Sequence, residues 1–337
     1  MNVLVIKLTS MGDVIHTLPA LTDALNYYQD ITFDFVVEES FQEIPAWHLG
    51  VNQVIAVATR RWRKSLWSSK QEMVAACKKI KRKRYDVVID AQGLIKSSVI
   101  ARCAKGMRHG YDKHSIREPL ATRLYQRGHS VSQDQHAISR IRHLFAHALE
   151  YENQLNESEP PLDYGLSLER IPFNKNILVD TARPTMVFLH GTTWLAKEWP
   201  TANWQQLAEQ LTKSYRVLLP WGNQVEFDRA KEIAQDNVNV TVLPRLDISS
   251  LAHILAGAKG VVGVDTGLGH LSAALGTPTV SIYGPTDVDL IGTFGEKQAH
   301  ICAVNQPDWR TIKKNEAFDY DKVSVQSVYE QLLNLCE

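Results

Sequence analysis

Residues 261–287, VVGVDTGLGHLSAALGTPTVSIYGPTD, carry the most specific chemistry in this chain. An apolar run over 260–264 reads as a strand that empties into Asp265-Thr266-Gly267, where a helix of small residues begins. A second apolar run over 279–283 ends in a Gly-Pro turn. A strand leading into the amino end of a helix leaves backbone N–H groups and the positive end of the helix dipole aimed at one spot, which is an anion site with phosphate as its usual occupant. Gly267 and Gly269 allow a ligand close to the backbone. His270, four residues after Thr266, suits packing as well as ligand contact.

Two further turns in this half have suitable groups. His190-Gly191-Thr192-Thr193 follows an apolar run, and Lys197-Glu198-Trp199-Pro200 opens the next helix. Hydroxyls and an ammonium there fit phosphate; a Thr-rich turn with a solvated lysine fits equally. Glu226, after the strand end LLPWG, could accept hydrogen bonds from a ribose diol or be an ordinary first-turn glutamate.

In the amino-terminal half, Thr9-Ser10-Met11-Gly12-Asp13 follows the first apolar run and sets Asp13 at a helix start. On position alone an Asp there is a cap; a carboxylate at a strand exit can also serve as a base. Arg60, Arg61, Arg63 and Lys64 surround Trp62, a group of cations able to clamp carboxylates or phosphates, and Arg117 adds another. No GxGxxG follows the first strand, and neither GxxxxGK[ST] nor GxSxG occurs, so dinucleotide, P-loop and α/β-hydrolase chemistry find no support. No His/Asp cluster reads as a metal site.

These residues need elements to hold them, and the chain supplies a βαβ rhythm. Apolar runs at 3–8, 32–38, 53–58 and 87–91 alternate with helical patterns at 18–28 and 72–81. A polar, Pro-containing stretch over 151–180 interrupts the rhythm. It resumes with strands at 186–191, 216–222 and 239–244 and helices at 204–213, 225–234 and 249–258. The expected organisation is a domain over 1–160, a connector over 161–184, a second domain over 185–310, and a closing segment over 311–337 whose helix packs back on the first domain. Ligands in open α/β sheets bind beyond the carboxyl ends of strands, so two such domains are expected to face each other across a cleft.

The zero net charge hides an asymmetry: residues 60–127 hold 19 Lys and Arg against five Asp and Glu. Such a block meets an anionic partner, or is a solvated face. Cys77, Cys103, Cys302 and Cys336 show no paired spacing and read as reduced thiols. The opening run breaks at once into turn residues, as a first strand would and a signal peptide would not. No apolar run approaches the ~20 residues of a membrane span.

Together, K-x-x-S-M-G-D-V-I-H-T-L-P at 7–19, RRWRK at 60–64, DAQGLIKS at 90–97, K-x-W-P at 197–200, LPWG at 219–222 and VDTGLGHL…YGPTD at 264–287 resemble the bacterial ADP-heptose:lipopolysaccharide heptosyltransferases of glycosyltransferase family 9. The resemblance covers essentially the whole chain. It implies the GT-B fold, two Rossmann-like doubly wound domains, with the acceptor in the first and ADP-heptose in the second. It implies inverting transfer of L-glycero-D-manno-heptose to a Kdo residue of Kdo2-lipid A, with Asp13 as general base and no metal or other cofactor. On the same ground Thr192, Thr193, Lys197, Asp265, Thr266, Gly267 and His270 would meet the diphosphate and heptose, Glu226 the ribose, and the backbone near Leu246 the adenine. Arg60, Arg61, Arg63, Lys64 and Arg117 would grip Kdo carboxylates and lipid A phosphates. The resemblance further implies a monomer at the cytoplasmic face of the inner membrane. Two departures are mild: Lys64 is a less rigid fork than arginine, and Gly191 leaves its turn looser. The competing readings are a transferase for another donor or acceptor, a GT-B nucleotide-sugar epimerase or hydrolase, and a nucleic-acid-binding module. Sparse aromatics in the basic block argue against the last, so no nucleic-acid partner is expected.

Overall fold

The computed structural model describes residues 1–152, 161–173, 183–304, 312–313 and 315–337. Of the connector expected over 161–184, residues 174–182 lie outside these residues. The chain divides into two compact units, Met1–Arg170 and Ile171–Glu337.

The first unit is built on six parallel strands: β1 (Asn2–Ile6), β2 (Thr32–Glu38), β3 (Val51–Val57), β4 (Arg84–Asp90), β5 (Lys105–Tyr111) and β6 (Arg127–His129). Their order is β3-β2-β1-β4-β5-β6. A parallel sheet is covered on both faces, hence the unbroken apolar runs VLVI in β1 and FVV in β2, whose side chains are fully buried. β5 and β6 were not among the expected strands because KGMRHGY and RGH are too polar to read as core. They join the sheet through backbone pairing toward its edge, helped by Gly110, where any Cβ would collide with the Tyr125 ring. A fully buried ion pair ties two flanking helices together: Arg142 of Ala137–Leu149 donates to Asp23 of Leu18–Tyr27 at 2.6 and 3.1 Å.

The second unit repeats the plan with β7 (Thr185–Leu189), β8 (Arg216–Leu219), β9 (Val240–Val242), β10 (Gly260–Val264), β11 (Thr279–Tyr283) and β12 (Gln298–Cys302), in the order β12-β11-β10-β7-β8-β9. Its core centres on Phe188, Trp199 and Trp204, with ring centroids 5.0 Å apart in each contact to Trp204.

Two expectations are corrected here. The closing helix, Val325–Cys336, packs into the second unit, where the expectation put it on the first. Val325, Val328, Leu332 and Cys336 recur every three or four residues and sink into the second unit's core, where bare Gly260 leaves room for Cys336 Sγ. Nor are all four cysteines reduced: Cys77 and Cys103 form a disulfide, with Cα atoms 5.4 Å apart. Their 26-residue separation hides that helices Leu66–Lys81 and Ile95–Ala101, on either side of β4, bring them together.

In each sheet all carboxyl ends lie along one edge, and the direction of winding reverses at one place. These switch points fall between β1 and β4 and between β7 and β10, the positions where doubly wound sheets bind ligands.

The fold should be acid-sensitive. Burial drives His48 and His190, neither accessible to solvent, down to about 4 from 6.5. The unfolded chain takes up protons at these sites below about 6.5 while the folded chain does not, so folded stability falls as pH drops from 6.5 toward 4. Denaturant titrations at several pH values check this. His190→Gln should flatten the slope, and an unchanged slope would remove His190 from the acid response.

Candidate active site

In the second unit, the loops leaving β7 and β10 meet across the switch point. After β7 the chain passes through His190-Gly191-Thr192-Thr193 into the short turn Leu195–Lys197. Lys197 Nζ reaches Asp265 Oδ2 at 2.5 Å, just past the end of β10, and also lies 5.0 Å over the Trp194 ring. The two charged side chains are only 16% and 7% exposed. Thr266 is in extended conformation, φ −147° and ψ 156°, and the helix Gly267–Ala274 begins directly after it without a side-chain cap bond from Thr266. An ammonium and a helix amino end therefore lie on neighbouring loops, as anion binding requires. His270 is buried within this helix, Thr192 is half-buried and Thr193 exposed.

Glu226 is part of a local framework. Its carboxylate accepts from Gly222 N–H at 2.6 Å and Asn223 Nδ2 at 2.8 Å, and its own N–H donates to Asn223 Oδ1 at 3.0 Å. This caps helix Gln224–Ala234 and holds the carboxylate at the β8 exit. Gly191 lies close beside it: a Cβ there would stand 2.7 Å from Glu226 Cδ and push that carboxylate aside. The bare glycine that looked like a loosening of the turn thus admits Glu226 against it. Leu246 lies half-buried between β9 and the helix Ile248–Gly257. Arg229, absent from the sequence expectations, pairs with Glu198 and donates to His190 O at 3.2 Å, bracing the β7 turn.

In the first unit, Asp13 stands past β1 with its side chain 42% exposed. Its Oδ2 accepts from Ser10 N–H at 2.5 Å and Ser10 Oγ at 3.1 Å, so the capping role is real. The other oxygen, Oδ1, lies 3.7 Å from Lys7 Nζ, which donates to Ala91 O at 3.0 Å. The loop before Asp13 is fixed from β4: Gln92 Oε1 accepts from Leu8 and Thr9 N–H at 2.9 and 3.0 Å. Asp90 in turn holds the turn that carries Gln92, accepting from Gln92 and Gly93 N–H, Ser97 Oγ and Tyr125 Oη at 2.7–3.2 Å. Burial pushes the Asp90 carboxyl up, against these four hydrogen bonds. Lys7, Asp90 and Gln92 are not among the expected site residues; they fall inside two motifs, but no spacing rule marks them, because several of their partners are distant in sequence.

The basic residues sort by their partners. Arg61 is committed, donating to both oxygens of Glu72 at 2.9 and 2.8 Å and to Glu39 at 3.1 and 3.4 Å. Arg60 lies 5.4 Å over the Phe41 ring and, like Arg63 and Lys64, is exposed after β3; Arg117 is exposed after β5. Asp13 and these cations thus share one edge of the sheet. Among the described residues no group of three or more His, Cys, Asp or Glu could hold a metal ion.

A family model described as glycosyltransferase family 9 (heptosyltransferase) matches residues 73–320. The chain is 49% identical over 305 residues to lipopolysaccharide heptosyltransferase 1 of Pseudomonas aeruginosa, covering 89% of this chain and 83% of that protein. It is 47% identical to the protein of the same name from Escherichia coli K12, over 96% and 99% of the two chains. Among solved structures, E. coli heptosyltransferase WaaC with ADP superposes with a TM-score of 0.87 at 42% identity, over 99% of this chain and 100% of that one.

Proposed function

The chain belongs to glycosyltransferase family 9, the heptosyltransferases of lipopolysaccharide synthesis, and on that premise we propose that it moves heptose from ADP-heptose to a Kdo residue of Kdo2-lipid A with inversion. Its fold is GT-B. The observation that carries the mechanistic reading is Asp13: a half-exposed carboxylate at the first unit's switch point, on the same edge as Arg60, Arg63, Lys64 and Arg117.

In this reading Asp13 takes the proton from an acceptor hydroxyl as that oxygen bonds to the heptose anomeric carbon. The bond from that carbon to the diphosphate breaks on the opposite face, and ADP leaves with the electron pair. Lys197 and the amides at Thr266 and Gly267 balance the charge that grows on the diphosphate. Thr192, Thr193, Asp265 and His270 line the diphosphate and heptose. Glu226 receives the ribose hydroxyls, and adenine lies by Leu246. No step calls on a metal ion or other cofactor. The acceptor is anchored in a membrane, so we place the enzyme as a monomer at the cytoplasmic face of the inner membrane; among the described residues no helix is long and apolar enough to cross one.

The test is ADP release from ADP-heptose with and without Kdo2-lipid A, followed by mass analysis. Release that depends on acceptor, with one heptose added, supports the reading. Release without acceptor would make the chain a hydrolase or epimerase.

The acceptor assignment makes a sharper prediction. Arg60→Ala with Arg63→Ala should raise the acceptor KM roughly 10- to 100-fold, the scale of one or two lost charged hydrogen bonds, and leave the donor KM alone. A rise confined to the donor KM would misplace the acceptor site. Arg61→Ala should act through the geometry of the helix Thr59–Trp62 instead, since its guanidinium is already held by Glu39 and Glu72.

A further inference from the structure

The helix Leu66–Lys81 begins directly after the basic turn at 60–64. Ser69, Ala76 and Ile80 are buried against the sheet and define its inward line. Turned to the opposite side are Trp67, Lys70, Gln71, Val74, Lys78 and Lys81, which recur at helical spacing and therefore form one stripe along about 21 Å of helix. All six are exposed. Trp67 is 92% accessible and Val74 45%.

Neither residue has an evident structural reason to face water in this way, and a fully accessible tryptophan is unusual among scattered surface apolar residues. The charge on the stripe is all of one sign. The helix has a single carboxylate, Glu72, which lies off the stripe and is occupied by Arg61 and by Trp62 Nε1 at 2.9 Å. Lysines flanking an exposed tryptophan and an aliphatic side chain match the chemistry of a bilayer interface. The cations meet lipid phosphates, while the indole settles at headgroup level and the aliphatic group reaches the acyl boundary.

We propose that this stripe is the surface by which the enzyme docks on an anionic lipid bilayer. The proposal rests on the reading of the acceptor as a membrane-anchored molecule, and names the part of the chain that meets that membrane. The position of the stripe suits such docking, because the chain passes from the cations assigned to acceptor charges straight into the docking helix. An RNA would also attract the lysines but would make no use of isolated Val74, and would be expected to find several stacking aromatics where the stripe offers one.

The experiment is sedimentation of the full chain with phosphatidylglycerol–phosphatidylcholine vesicles and with pure phosphatidylcholine vesicles. Three proteins are compared: wild type, Lys70→Gln/Lys78→Gln/Lys81→Gln, and Trp67→Ala. Wild type should bind the anionic vesicles and release in high salt. The triple variant should bind roughly 100-fold more weakly, and Trp67→Ala should also lose affinity. Transfer to a deacylated, soluble acceptor should be unchanged in both variants, which shows that they are folded and separates this proposal from the proposed activity. Absence of wild-type binding, equal binding to neutral vesicles, or unchanged binding by the triple variant would overturn it. So would binding to RNA in place of vesicles.

Discussion

Asp13→Asn should reduce kcat by about 10²- to 10⁴-fold and leave ADP affinity nearly unchanged. Asparagine is the informative replacement because Asp13 does two things. Its Oδ2 accepts from Ser10 N–H, closing the first turn of the short helix Met11–Ile15. An asparagine oxygen can do the same, but it cannot take up the proton of an attacking hydroxyl. If Asp13 is only a cap, Asp13→Asn should retain turnover while Asp13→Ala loses stability. If it is the base, both variants should be inactive, and Asp13→Asn should unfold at nearly the wild-type temperature. ADP titration by calorimetry completes the test, since the groups proposed to hold the donor lie in the other unit and should bind as before.

The second large effect is expected at Lys197. Lys197→Ala should lower transfer about 10²- to 10³-fold if, as proposed, its ammonium balances charge on the leaving diphosphate. It also strands Asp265, 9% exposed, without its partner, so a loss of stability accompanies the loss of rate. The two effects separate when Lys197→Ala/Asp265→Asn, which removes the stranded charge without restoring the ammonium, is compared with Asp265→Asn alone. Unfolding temperature should recover in the double variant and transfer should not. Recovery of both would make Lys197 a structural partner of Asp265 and take it out of the diphosphate site.

The part of this molecule legible from sequence was the part where types of residue and backbone geometry coincide. The apolar runs of β1, β2, β7, β10 and β11 are strands because a parallel sheet buries both faces, and the turn after β10 is read directly from Asp265-Thr266-Gly267. β5 and β6 were hidden because their place comes from neighbours, not from their own polar side chains. Asp90 and Gln92 escaped for a related reason. Gln92 holds backbone 83 and 84 residues away, and Asp90 holds the turn that carries Gln92 together with Tyr125, 35 residues on; no local pattern records such distant partners. The basic turn was visible as a cluster but not as a division of labour. Only the positions of Glu39 and Glu72 reveal that Arg61, exposed like Arg60, Arg63 and Lys64, is held in ion pairs. The disulfide and the destination of the last helix likewise depend on distant chain.

Every sheet pairing among the described residues joins strands of the same half of the chain. The first sheet ends with β6 at His129, yet its unit is closed much later: Leu49 N–H donates to Gly165 O at 3.1 Å and Arg170 Nη1 to His48 O at 2.5 Å. A ribosome that has released residue 170 has therefore delivered every strand the first unit needs, while the second is still to be made. The nascent amino-terminal half can close by itself during synthesis, with its aggregation-prone strands already paired before the next sheet emerges.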